Sequence, residues 1–309
     1  MFTSKQDASK AISITASIFP NGVRVDSAQL RYWRPIHGEF MTHRDFSRNG
    51  ASGRAVPVGA VLARDEVYIP QFKHNKPGMQ PGEYLSPEKQ ARAEKAWLKA
   101  VGACREMAAL LSDKDDLNVH KQWPNRMIEW FGWIDVLVTS TRWSNWDALR
   151  LHPEAQDEIR FLAEALYEAR RNAKVQILKP GEWHKPYVRE EDGETVDRML
   201  RNQDLPDDVR EALYLMDTRD LKDVSVREKV LLAISAARAC RVSYAKMDGS
   251  PTTMADDMRR FLLLAKSKPM HASPLEHQCR ELTMFDSPRL QGNLLGTVQF
   301  RKCFPHECQ

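Results

Sequence analysis

The segment THRDFSRNGASGR, residues 42–54, concentrates groups that can bind an anion. It places the imidazole of His43 and the guanidinium of Arg44 a few residues before the Gly53-Arg54 pair. Guanidiniums bind phosphate and carbonyl oxygens through paired N–H donors and stay charged at physiological pH. The segment therefore indicates a site that binds an anion or stabilises negative charge on a planar ring. A solvated basic loop would have a similar composition, and this alternative stays open.

Further arginines lie next to expected turns, and most conventional catalytic motifs are absent from the sequence. These arginines are Arg48, Arg126, Arg142, Arg150, Arg238 and Arg241. There is no glycine-rich dinucleotide fingerprint, no P-loop and no H-E-x-x-H, and no nucleophile system stands out. The five cysteines are scattered without a C-x-x-C pair, which is typical of a reduced cytoplasm. Cys303, His306 and Cys308 are an incomplete zinc set, so we expect no metal site.

The overall composition excludes several classes of protein. The 309 residues carry 46 Lys+Arg and 42 Asp+Glu, and a net charge of +4 does not by itself indicate nucleic-acid binding. No apolar run of about 18 residues predicts a membrane span. The first residues lack the basic and apolar regions of a signal peptide. We expect a cytoplasmic globular protein.

The elements that must position these residues alternate between strands and helices. Residues 11–19 and 23–33 predict two strands around the turn PNG, because apolar and polar residues alternate there. A short helix is expected from Pro35 to about Arg44. Ser86 followed by Pro87 predicts the start of a long helix.

The second half predicts mainly helices. The stretch 125–140 is apolar nearly all round, which favours a buried helix. A further helix is expected to begin at Pro153 with an acidic first turn. Helices are predicted at 226–239 and 254–266, and a strand follows at 278–285.

The stretch 176–225 differs from its flanks because it is charged and is interrupted by Pro and Gly. We interpret it as an insertion or lid within a single domain of residues 1–309, since it holds too little apolar surface for a core of its own. Its cluster Trp183, His184 and Tyr187 could stack on a pterin or flavin. It could equally pin the loop to the body.

Four segments together resemble the flavin-dependent thymidylate synthase family. His43-Arg44, a seven-residue spacer and Ser52-Gly53-Arg54 resemble the family's arginine signature. The block 141–160, TRWSNWDALRLHPEAQDEIR, resembles its Asn–Arg–helix segment. The segments 239–244 (ACRVSY) and 271–277 (HASPLEH) resemble its "ARVS" and "H-x-T/S-P-x-E-H" motifs.

The resemblance implies an α+β fold, with a mixed or antiparallel sheet and packed helices, like that of the thymidylate synthase-complementing proteins. It also implies reductive methylation of dUMP to dTMP, with methylenetetrahydrofolate as carbon donor, reduced FAD as hydride source and NADPH as co-substrate. Family members are homotetramers whose active sites are shared between subunits, so we expect the same here. No membrane or nucleic-acid partner is expected.

The resemblance also assigns roles to residues. The flavin contacts would be His43, Arg44, Asn145, His271 and Ser273. The contacts to dUMP would be Glu39, Ser52, Gly53, Arg54 and Arg126. Arg150 would lie against the pyrimidine as the catalytic residue, because a fixed guanidinium stabilises negative charge on the N3–C4 carbonyl side when carbon 5 acts as a nucleophile. From the sequence alone, a salt bridge from Arg150 to Glu154 or Asp147 is the alternative.

Two departures from the family pattern leave alternatives open. Thr42 stands where the family has Arg; Arg301 near the C-terminus is a candidate substitute, and a surface basic pair with Lys302 is the other interpretation. The segments 239–244 and 271–277 follow the arginine signature instead of preceding it, which suggests a circular permutation or a phage-type rearranged branch. A pyrimidine nucleotide hydroxymethylase and a non-catalytic nucleic-acid-binding protein remain the competing functions.

Overall fold

A five-stranded mixed sheet forms the centre of the chain. The computed structural model describes residues 9–246 and 249–307. The strands follow the order β3-β4-β2-β1-β5, antiparallel throughout except for the parallel pair β1 and β5. A separate two-stranded antiparallel sheet is made by β6 and β7. The described elements are β1 (Lys10–Ile18), β2 (Arg24–Trp33), α1 (His37–Phe40), β3 (Ser47–Gly50), α2 (Val58–Leu62), α3 (Pro87–Ser112), α4 (Gln122–Glu129), β4 (Trp133–Ser140), α5 (Ser144–Arg150), α6 (Asp157–Arg171), β5 (Val175–Ile177), α7 (Glu190–Arg201), α8 (Asp207–Leu215), α9 (Val226–Arg241), α10 (Met254–Lys266), β6 (Cys279–Glu281) and β7 (Thr297–Gln299). The expected α+β class with a mixed sheet and packed helices is confirmed.

The two faces of the sheet pack against different parts of the chain. On one face, alternate residues of β2 and β4 such as Leu30 and Val136 pack against Leu162 of α6. On the other face, Leu137 of β4 contacts Tyr187 and Ala239 from the C-terminal half. Strand β4 is therefore covered on both faces.

The predicted helix at 125–140 is wrong in its second half. Helix α4 ends at Glu129, and the chain then forms β4, which lies between β3 and β2 in the sheet. Ile134, Val136, Leu137 and Val138 are all at most 4% exposed, so the strand is apolar on both faces. Periodicity alone cannot separate such a strand from a buried helix, and β-branched side chains favour the strand.

The other predicted elements agree with the structure apart from their ends. The hairpin of β1 and β2, the Ser86 cap of α3, and helices α9 and α10 are confirmed. The helix expected from Pro153 begins four residues later as α6, because residues 152–156 form a turn. The helix expected from Pro35 is a short helical turn followed by α1, and the last predicted strand is limited to β6.

The charged stretch 176–225 shares its core with the C-terminal helices. Trp183, Val196 and Met216 belong to the same buried cluster as Ile234 of α9 and Phe261 of α10. The stretch therefore has no separate core in the part of the chain described. Its classification as an insertion or lid stays a prediction.

The described residues contain neither a membrane-spanning helix nor a cluster of metal ligands. No helix there combines the length and apolarity needed to cross a membrane. No group of three or more His, Cys, Asp or Glu side chains there is arranged to hold a metal ion. Cys308, part of the incomplete zinc set, lies outside the described residues.

Candidate functional site

Strand β3 lies at the centre of residues 42–54, here named the arginine signature, and at the edge of the sheet. Its four residues pair antiparallel with Val136–Thr139 of β4. Side chains of a strand alternate between faces, so Ser47 and Asn49 share one face and Arg48 and Gly50 the other. His43 precedes this strand, and the Ser52-Gly53-Arg54 segment follows it.

Three of the predicted site residues form one cluster beside the start of β3. Arg150 Nε donates a hydrogen bond to His43 Nε2 at 3.0 Å. Asn145, in the first turn of α5, also hydrogen-bonds to His43. Burial, followed by the charges of Arg150 and Arg48, lowers the pKa of His43 to about 4. The imidazole is therefore neutral at pH 7, with one nitrogen free to accept a hydrogen bond.

The predicted alternative of a salt bridge at Arg150 is wrong. Asp147 instead binds Arg170, with 2.6 Å between Oδ1 and Nη2. Glu154 takes part in no ion pair among the described residues. In the part of the chain described, no carboxylate therefore neutralises Arg150, and its partner His43 is neutral.

Asn49 joins the arginine signature to the two segments near the C-terminus. Its Nδ2 donates to the backbone carbonyls of Ala239 at 2.7 Å and Cys240 at 3.3 Å, at the end of α9. Its Oδ1 accepts from Ser273 Oγ at 3.2 Å. The motifs at 239–244 and 271–277 therefore meet the arginine signature within one chain. The predicted homotetramer with shared sites stays a prediction.

The Ser52-Gly53-Arg54 segment is fastened to α4. Asn125 Nδ2 donates to the carbonyl oxygens of Gly53 at 2.7 Å and Val56 at 2.9 Å. A Cβ on Gly53 would lie 1.6 Å from Glu129 Oε1, so no other residue fits without movement. Arg126, predicted to bind substrate, is exposed on the same helix.

The arginines that the sequence analysis selected divide by what neutralises them. Carboxylates bind Arg142, Arg238 and Arg241, and each of the three is thereby neutralised. Arg48 is held instead by three backbone carbonyls, those of Phe40, Met41 and His43. In the described ranges no ion pair involves Arg44, Arg54, Arg126 or Arg150. These four guanidiniums are available to an anionic ligand.

The cofactor-binding residues predicted by the resemblance differ in exposure. The side chains of Arg44, Asn145, His271 and Ser273 are exposed and can reach a bound ligand. His43 is 7% exposed and its Nε2 already accepts from Arg150. The first four fit a flavin-binding role; His43 fits one poorly.

Thr42 and its candidate substitute do not supply a free charge. Thr42 Oγ1 donates to the carbonyl of Glu39 at 2.7 Å, and the Glu39 side chain is exposed with no described partner. Arg301 reaches the 271–277 motif, where it pairs with Glu276, and it also binds Glu307 at 2.7 Å. The two carboxylates neutralise Arg301, so it does not replace the missing arginine as an anion ligand. The alternative of a surface pair is also wrong, because Arg301 is only 23% exposed.

A buried row of hydroxyl groups crosses the five-stranded sheet next to this site. We name Ser17, Ser27, Thr139 and Ser47 the hydroxyl row; they come from β1, β2, β4 and β3, and each is 0% exposed. In register, Ser27 lies opposite Thr139 and Thr139 opposite Ser47. The row faces the C-terminal half of the chain.

Two histidines of the C-terminal half bind this row. His184 lies between Ser17 Oγ, 2.9 Å from Nδ1, and Ser27 Oγ, 2.8 Å from Nε2. His277, the last residue of HASPLEH, lies with Nδ1 2.8 Å from Thr139 Oγ1. Burial lowers the pKa of both to about 3, with the charge of Lys185 as a smaller cause at His184.

The cluster Trp183, His184 and Tyr187 pins its loop to the body, as one of the two alternatives predicted. The three side chains are 1%, 1% and 0% exposed. Tyr187 OH donates to Gln29 Oε1 at 3.1 Å. Stacking on a ligand is wrong for this cluster.

Sequence reasoning missed Asn49, Asn125 and the hydroxyl row. Asn49 lies inside the arginine signature and Asn125 directly precedes Arg126. Their positions beside predicted site residues were the available signal. Ser and Thr in a strand usually indicate a solvent-facing surface, so nothing in the sequence marks the row as buried.

Comparisons with known proteins do not show which family this chain belongs to. No family model matches the chain, and no curated protein sequence matches it. A crystal structure of a UMP/dUMP methylase PolB from Streptomyces cacaoi bound with 5-Br UMP is 16% identical, with a TM-score of 0.46 over 54% of this chain and 89% of that one. A second PolB structure, bound with 5-Br dUMP, is 20% identical, with a TM-score of 0.39 over 47% of this chain and 65% of that one. Similarity at this level supports no inference about activity.

Proposed function

We propose that this chain is a flavin-dependent enzyme that methylates dUMP reductively to dTMP. The observation that carries the proposal is the meeting of four separated segments around β3. Arg150 touches His43, and Asn49 touches both Ala239 and Ser273. The four segments are separated in the sequence, and their contacts at one strand edge support a common site.

The chemistry of the exposed groups supports this choice. Arg44, Arg54 and Arg126 take part in no ion pair in the part of the chain described, so they can neutralise phosphate groups. The exposed side chains of Asn145 and Ser273 would help hold the flavin. Reduced flavin, when bound, would supply the hydride that completes the methyl group.

Arg150 is the proposed catalytic residue. In a site shielded from water, a fixed guanidinium lowers the energy of negative charge on the pyrimidine, and one such donor contributes about 3 kcal/mol. No cysteine is required. Cys279 and Cys303 are buried, and burial raises the pKa of each thiol to about 12, so neither is a nucleophile at pH 7.

The test begins with the visible spectrum of purified protein, alone and after addition of FAD. We expect flavin absorption bands, and then formation of dTMP from dUMP when methylenetetrahydrofolate and NADPH are supplied. Protein that stays colourless and takes up no FAD in calorimetry would disprove the proposal. Bound flavin with a hydroxymethylated product would instead support the hydroxymethylase.

A further inference from the structure

Arg150 is held in a different way from the buried Arg238. Arg238 binds the carboxylates of Asp192 and Asp257, and its charge is cancelled. Arg150 donates to the neutral imidazole of His43. A neutral acceptor fixes the direction of a guanidinium and leaves its positive charge available.

The imidazole that holds Arg150 is itself rigid. The His43 ring lies edge-on to Trp146, with 4.8 Å between centroids, and stacks on Phe46 at 5.6 Å. Trp146 is 1% exposed and belongs to the same short helix as Arg150. The helix that carries the arginine therefore also helps to fix its acceptor.

The bond from Nε leaves the terminal nitrogens of Arg150 free. Among the described residues, neither Nη1 nor Nη2 of Arg150 donates to a protein group. These two nitrogens form the fork that binds a carbonyl edge or an anion through two parallel bonds. Anchoring Nε restricts rotation of the fork and lowers the entropy lost when a ligand binds.

We infer that His43 is a positioning residue that orients the guanidinium of Arg150 toward the substrate. This role replaces the flavin contact expected for His43 from the resemblance. The orienting contact is a property of the free protein. Its effect on turnover rests on the proposed function.

The contact can be tested without any reaction. Isotope-labelled arginine allows the exchange of the Arg150 Nε proton with water to be followed by NMR. The proton should exchange slowly in the wild type, rapidly in His43→Asn, and slowly again in His43→Gln, whose Oε1 falls near the position of Nε2. Rapid exchange in the wild type would overturn the inference whatever the protein catalyses.

The effect of the His43–Arg150 contact on catalysis is tested with the same variants. His43→Asn should lower kcat for the pyrimidine nucleotide by about 10- to 100-fold, the usual effect of misplacing a catalytic group by about 1 Å. His43→Gln should retain most of kcat, and flavin affinity should change little in either variant. His152→Asn, at an exposed position two residues after Arg150, is the matched control.

The outcomes separate the positioning role of His43 from the proposed function of the protein. Equal loss of kcat in both His43 variants, or loss of flavin binding in both, would overturn the positioning role and return His43 to the cofactor. Absence of turnover in the wild type with every pyrimidine nucleotide would disprove the proposed function. In that case slow Nε exchange restored by glutamine would still support the contact.

Discussion

Lowering the pH from about 7.5 to about 5 should destabilise the fold through His184 and His277. Both imidazoles are at most 1% exposed and are bound to the hydroxyl row. Their pKa is lowered to about 3 in the folded protein. The unfolded chain binds these protons at higher pH than the folded protein, so the free energy of unfolding falls as the pH decreases below about 6.5 and stops falling near the folded pKa.

The magnitude follows from the size of the shifts. At about pH 5 each histidine lies about 1.5 units below its unfolded pKa, and one unit corresponds to about 1.4 kcal/mol. Through these two histidines the free energy of unfolding therefore falls by about 4 kcal/mol. This is a large share of a typical stability of about 5–15 kcal/mol. The partly buried His37 and the buried His43, whose pKa values are lowered to about 4, act in the same direction.

The assay is urea denaturation at several pH values between about 5 and 6.5. Carboxylates with lowered pKa, such as Asp286 at about 2, stay ionised in this window, so they add little to the slope. The two extra protons that unfolding binds through His184 and His277 contribute about 2.7 kcal/mol per pH unit to the slope. Replacing His184 or His277 by Gln should reduce the slope by about half of that value. His74→Gln, at an exposed position, should leave the slope unchanged.

Burial raises the pKa of Glu276 and of Asp135, and these two carboxyls oppose the histidines, so the decisive quantity is the difference in slope between wild type and each variant; equal slopes would refute the reasoning. A slope that neither replacement alters would show that other groups take up the protons. If both variants are less stable but keep the wild-type slope, other groups again take up the protons.

The remaining predictions concern the site. Arg150→Lys should lower turnover by about 10²-fold with little change in melting temperature, because lysine lacks the planar fork; normal turnover would remove Arg150 from the mechanism. Asn49→Asp should destabilise the fold by about 1–3 kcal/mol in denaturant titration, since it replaces a donor to two carbonyls by a carboxylate; an unchanged midpoint would contradict this. Gly53→Ala should weaken nucleotide binding measured by calorimetry, because its Cβ would collide with Glu129, whereas Gly59→Ala, with nothing within 4 Å, is the control. Light scattering should give about four times 35.5 kDa, and an active monomer would contradict the shared-site homotetramer.

Much of the local structure follows from sequence patterns, while β4 does not. The β1–β2 hairpin, the cap at Ser86 and the helices α9 and α10 all have clear periodicity or capping residues. Strand β4 was expected to be helical because it is apolar on both faces. Its place in the middle of the sheet is decided by pairing with strands more than 80 residues away in the chain, which local propensity does not encode.

The candidate site was predictable as a set of motifs but not as a geometry. The sequence indicates His43, Arg150 and Ser273 separately. That Arg150 donates to His43, and that Asn49 binds Ser273, depends on tertiary contacts across about 100 to 220 residues. The ion pairs of Arg301 with Glu276 and Glu307 are also tertiary contacts. A basic pair in the sequence does not predict them.

The hydroxyl row connects the stability of the fold to the assembly of the site. His277 ends the HASPLEH motif, and its bond to Thr139 holds that motif on the face of the sheet where Asn49 meets Ser273. Protonation of His277 would place a charge in a fully buried position and favour release of the motif from β3. Acid conditions that weaken the fold should therefore also separate the 271–277 motif from the arginine signature. The order in which these segments stand in the sequence is no obstacle to one site, because contacts to a single row of side chains help to set where the C-terminal half docks.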